Sequence, residues 1–116
     1  MRGERGDKVR LQHILEAIRE IENYIVGVNY SDFSQNSMMR FATVKQIEII
    51  GEATNHISND TKEKYPEVRW RQIVGLRNIL VHEYFSVDSA IIWDIVENDL
   101  PKFKEHIILI MEKYTS

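Results

Sequence analysis

The sequence predicts an all-α protein, an up-and-down bundle of four main helices whose last helix is broken at Pro101 into two. Three observations lead there. Apolar residues recur at spacings of three, four and seven through most of the 116 residues, the period of helices with one buried face. No segment alternates apolar and polar residues as a half-buried strand would. The periodic segments are separated by breaks at Gly27, at Ser58 to Thr61 and at Pro101.

Each element follows from its own residues. Residues 1–6, with two glycines and no pattern, read as a flexible lead-in. Asp7 is placed to cap a first helix reaching about Val26, with Leu11, Ile14, Leu15, Ile18, Ile21 and Ile25 on its inner stripe. Gly27 stops it, and the following loop offers Tyr30 and Phe33 to the bundle, with room for a short turn of helix after Ser31. The second long helix, Ser37 to about Ile57, is apolar nearly all round, as suits a central or interface helix. Gly51 inside it would cost about 1 kcal/mol relative to Ala, which a close helix crossing would justify. Lys62 to Pro66 reads as a short turn or one-turn helix. A third helix covers about Val68 to Glu83, and Ser86 or Asp88 caps a fourth from Ser89 to about Asn98. Pro101 fits the first turn of a final helix to Lys113, with Phe103, Ile107, Ile110, Met111 and Tyr114 inward.

Composition narrows the class. One domain spans residues 1–116, long enough to bury a core. With no cysteine, disulfides and thiolate metal sites are excluded. The start of the chain has no apolar signal segment, and the longest apolar run, Ile107 to Met111, is far short of a membrane span, so a cytoplasmic location is expected. A formal net charge of −3 argues against a general nucleic-acid binder, so any RNA contact needs a local basic patch. Arg69, Arg71 and Arg77 form the densest arginine group, although Arg69 and Arg71 also read as a solvated face.

No glycine arrangement cradles a phosphate, no serine sits in a nucleophile elbow, and His13, His56, His82 and His106 lack metal-ligand spacing. What remains is the stretch Trp70 to Asp88. Trp70, Ile73, Val74, Leu80 and Val81 form one apolar face, and Arg77 lies on it with Tyr84 only about 20° away around the axis. His82 stands about 140° round from Arg77 and shares a stripe with Asn78. A guanidinium in an apolar stripe needs a partner. Glu48 and Glu52 are the acids on the apolar second helix, and Glu52 is the preferred partner, neutralising Arg77 inside the bundle. A paired-carboxylate acid and base at Glu48 and Glu52 has no pocket signal behind it.

The segment Arg77-Asn78-Ile79-Leu80-Val81-His82-Glu83-Tyr84 resembles the Arg, four residues, His, any residue, Tyr signature of the HEPN superfamily. It is most similar to the HepT-like toxins paired with a small nucleotidyltransferase antitoxin. Flanking blocks extend the resemblance over about residues 7–113: Arg10-Leu11 to Ile18, Ile47 to Ala53, Tyr65-Pro66 to Trp70, and Val87-Asp88 through Pro101. The resemblance implies a HEPN-like bundle and an RNA endonuclease whose site is composed across a two-fold homodimer. It also implies that Tyr84 is the hydroxyl the partner modifies with AMP, silencing the toxin.

The residues suit that chemistry. Metal-free RNA cleavage needs a base for the 2′-hydroxyl, an acid for the leaving oxygen and a cation for the phosphorane charge. His82 can hold either protonation state near neutrality, and Arg77 is a permanently charged fork for phosphate oxygens. Asn78 could orient the imidazole or hold a phosphate oxygen. With about 140° between them, Arg77 and His82 diverge on one helix unless it ends between them or a second copy faces it. No cofactor or metal is expected. On the structural alternative, Arg77 is a buried ion-pair anchor and His82 a helix-end residue favoured by the dipole, leaving a non-catalytic module that docks a nucleotidyltransferase.

Overall fold

The computed structural model describes residues 3–82 and 88–115, with side chains for 6–78 and 88–114. The described chain is all-α and contains no strand. In order it forms α1 (Gly3–Ile25), α2 (Tyr30–Gln35), α3 (Ser37–Asn55), α4 (Asn59–Lys64), α5 (Trp70–His82), α6 (Ser89–Asp94) and α7 (Leu100–Thr115). Helix α3 lies between α1 and α5, and α7 packs on α1, so the four long elements make the expected bundle.

The periodic stripes become the core. Leu11, Ile14, Ile18 and Ile21 of α1 meet Val44, Ile47 and Ile50 of α3, and Phe103, Ile107 and Ile110 of α7 close the other side. Burying each such side chain contributes about 1.5–3 kcal/mol before conformational entropy is set against it. Met111 and Tyr114 are only partly buried. Phe33 is fully buried and packs against Trp93 with the rings tilted and their centres 5.1 Å apart, which pins the short α2 against α6. Trp70 meets Phe103 edge-on at 6.1 Å and donates its indole N–H to the Tyr65 carbonyl, fixing the start of α5.

Three local expectations need correction. Helix α1 begins at Gly3, ahead of Asp7, so Asp7 is not its cap. Its carboxylate is buried and accepts from the Ser58 N–H at 2.9 Å, the Ser58 hydroxyl at 2.6 Å and the Thr61 hydroxyl at 2.5 Å. It thus clasps the start of a different helix, α4, 51 residues away in the chain. Second, the pattern of α3 does break ahead of Ser58, but Ser58 caps α4 by accepting from the Thr61 N–H, so the short helix starts at Asn59, three residues earlier than expected. Third, the chain does not break at Pro101. A π-helical turn over Ile95–Asp99 joins α6 to α7 without interruption, with the Leu100 N–H reaching the Ile95 carbonyl. Proline cannot donate to the carbonyl four residues back and clashes with it, and a widened turn just before it relieves both problems. Met38 and Phe41 are exposed on the outer face of α3. Asp88 does cap α6, accepting from the Ala90 N–H at 2.8 Å, whereas Ser86 lies outside the described residues.

Candidate active site

The site is built where α5 crosses α3. Gly51 is buried there, and a Cβ added to it would lie 3.0 Å from the Arg77 Cβ and 3.2 Å from the Arg77 backbone nitrogen. Glycine lets the two backbones approach to that distance. One residue on, Glu52 turns outward and accepts from Arg77 Nη1 through Oε2 at 2.5 Å. Its other oxygen, Oε1, lies 3.0 Å from His56 Nε2, one turn along α3.

This corrects the picture of a pair inside the bundle. Glu52 is 56% exposed and the Arg77 side chain 28%, so the pair closes the rim of the crossing. Within Arg77 the burial is uneven. Its Nε is buried and meets no acceptor among the described residues, while Nη1 reaches the carboxylate at the surface. The hydrogen bond from Arg77, then that from His56, holds the Glu52 carboxyl below its ordinary value. Glu48, the other acid considered, is half-buried on α3.

Asn78 follows Arg77 on α5 and is exposed. The helix runs without interruption through both Arg77 and His82, so it does not end between them. The two positions are therefore separated by about 140° and about 7.5 Å of rise. His82 is the last residue of α5, and its side chain lies outside those described, as does Tyr84 altogether. The structure thus brings Arg77 and Glu52 together and sets Asn78 beside them.

His56 joins the pair unexpectedly, since in the sequence it lacks metal-ligand spacing. Its signal was present in the sequence as Glu52 and His56 at i, i+4 on a helix, a spacing at which side chains meet. Among the described residues, no group of three or more His, Cys, Asp or Glu side chains is placed to hold a metal ion.

A four-helix bundle with the Arg, four residues, His signature on the helix that crosses its central helix is the HEPN architecture. Comparison with known proteins narrows that class. This chain belongs to the HepT-like family, whose model, described as "Ribonuclease HepT-like", matches residues 14–110. A Methanocaldococcus jannaschii protein bearing an RNase name is 42% identical, over 91% of this chain and 97% of its own length. A Thermococcus cleftensis protein named "Probable ribonuclease HepT" is 39% identical over 86% of this chain and 91% of its own. The Shewanella oneidensis protein named "mRNA nuclease HepT" is 29% identical over 88% of this chain and 68% of its own. No solved structure matches at a comparable level. Among the described residues, no helix is long and apolar enough to cross a membrane.

Proposed function

We propose that this protein is the toxin of a toxin–antitoxin pair, a metal-independent endoribonuclease whose site is composed across a homodimer from Arg77, Asn78 and His82. The observation that carries the reading is the continuity of α5 from Arg77 through His82, in a chain of the HepT-like ribonuclease family. An unbroken helix sets the two positions about 140° apart around its axis, and a second copy related by a two-fold axis would bring one subunit's histidine position toward the other's arginine. Exposed Met38 and Phe41 on α3 supply apolar surface for such an interface.

In this reading His82 takes the proton of the ribose 2′-hydroxyl. The 2′-oxygen bonds to phosphorus, the bond from phosphorus to the 5′-oxygen breaks, and the imidazolium so formed returns its proton to the leaving oxygen. The products are a 2′,3′-cyclic phosphate and a 5′-hydroxyl. Arg77 clamps the non-bridging oxygens as charge builds on them. Asn78 orients the imidazole or the phosphate. Glu52 holds the guanidinium in place at the α3 crossing. The partner is a small nucleotidyltransferase that places AMP on Tyr84, putting a bulky anion beside the clamp to compete with the substrate phosphate.

Mixing two inactive variants tests this. Arg77→Ala and His82→Ala homodimers should each cut RNA poorly. Their mixture, after subunit exchange, should regain activity, because some heterodimer sites then hold both groups. A mixture no more active than its parts would remove the composite site. An inactive wild-type protein that still binds a nucleotidyltransferase would leave a docking module.

A further inference from the structure

An open groove of about 740 Å³ runs along the first half of α5, between it and the α3–α4 corner. Lys62, Arg69 and Arg71 line it together with the amides of Asn55 and Gln72, and no carboxylate lines it. In a chain of net charge −3, three cations without an acid form the local basic patch that an RNA contact requires. By contrast, the groove between α1 and α3 carries Glu16, Glu20 and Glu52 beside Arg10, and the pocket between α5 and α7 carries Glu67 and Asp99 beside Lys102, with Arg69 on the wall it shares with the basic groove. Among the described residues, none of the three groove cations is held in an ion pair.

The groove ends about one helical turn short of the candidate site on both walls, at Val74 of α5 and Asn55 of α3. On α5, Arg71, Val74 and Asn78 share one stripe at spacings of three, four and seven, about 10.5 Å from end to end. On α3, Asn55 stands one turn after Glu52. The Lys62 ammonium is 3.5 Å from the Asn55 carbonyl, and burial pushes it below the ordinary lysine value while Asp7 pulls it back. An anion in the groove would favour its charged form. Trp70 is buried and its N–H already donates to Tyr65, so the groove offers phosphate contacts rather than an aromatic stacking platform.

We propose that this groove, through Lys62, Arg69 and Arg71, is the track for the phosphodiester backbone of single-stranded RNA, feeding the strand along α5 toward Asn78 and Arg77. The inference rests on the ribonuclease reading for its occupant, and its test does not need cleavage. A short fluorescein-labelled 2′-O-methyl oligoribonucleotide, which lacks the attacking hydroxyl, is titrated into wild-type protein at several salt concentrations. Lys62→Gln, Arg69→Gln and Arg71→Gln together should weaken binding and flatten the plot of log affinity against log salt by about 2, at about 0.7 per phosphate contact on a single strand. Should the triple variant fold poorly, Arg69→Gln with Arg71→Gln, both exposed, should flatten it by about 1.4. A control of equal charge loss at exposed Arg19, Lys45 and Lys113 should leave the slope alone. With cleavable RNA, the groove variants should raise KM and spare kcat. An unchanged slope in the groove variants overturns the track, as does an equal loss in the control. So does a loss confined to binding an acidic protein partner. Wild-type protein that binds the oligonucleotide with the expected groove dependence but cuts no RNA would fail the nuclease reading and leave the track standing.

Discussion

Arg77 rests against Gly51, with a gap too small for one methyl group. A Cβ there would sit 3.0 Å from the Arg77 Cβ. This contact sets how far α5 stands from α3 and so where Glu52 meets the guanidinium.

Gly51→Ala should therefore destabilise despite alanine's better helix propensity. Propensity gives back about 1 kcal/mol, whereas overpacking a tight crossing costs about 1–3 kcal/mol. The neighbours it meets are the Arg77 Cβ and backbone nitrogen, which cannot swing away as a flexible side-chain end could. Urea unfolding should show a lower midpoint for Gly51→Ala and a still lower one for Gly51→Val, with RNA cleavage falling alongside.

Arg77→Ala should cost cleavage far more than stability. A pair inside the bundle would have left a stranded carboxylate, but Glu52 is 56% exposed and rehydrates when its partner goes. A large drop in the thermal midpoint would show that the arginine's main role is structural.

Asp7 predicts the opposite pattern. Asp7→Ala leaves three donors without their acceptor, two on half-buried Ser58 and one on buried Thr61. The expected loss is about 2–3 kcal/mol, read from chemical denaturation, with kcat for RNA cleavage unchanged.

The long elements were legible because their signal is local. The 3.6-residue stripes of α1, α3 and α7 state which face is buried, and Gly51 announces a crossing by occupying a helix interior where glycine is costly. Asp7 was misread because a carboxylate near a helix start looks like a cap, while its actual donors lie 51 and 54 residues away. The π turn was missed because proline signals an obstacle to an α-helix without saying whether the chain breaks or widens there. At the site, Arg77 and Glu52 could be paired from sequence, but their place at the rim depended on which way α3 is turned. Tyr84 lies outside the described residues, so its role rests on the motif.

Asp99 gives a pH-dependent prediction. Burial, then the neighbouring Asp94, raises its carboxyl above the ordinary 3.8, against the pull of Arg69. A carboxyl raised in the folded state favours folding below its unfolded value and loses that contribution as pH rises through the folded value. At neutral pH the charged group works against the fold. Asp99→Asn should therefore raise the thermal midpoint at neutral pH, and the gain should vanish in acid below the unfolded value. A midpoint lower than wild type at neutral pH would contradict this.

The account's central claim is that Arg77 and His82 cut RNA through its own 2′-hydroxyl, and end-group analysis of the products tests it most directly. Wild-type protein incubated with RNA in EDTA should yield 2′,3′-cyclic phosphate and 5′-hydroxyl ends, and a DNA copy of the substrate should survive. His82→Ala should slow the reaction by about 10²–10⁴-fold, the usual contribution of a positioned acid–base group. Activity abolished by EDTA, 5′-phosphate ends, or a His82→Ala protein cutting at the full rate would contradict it.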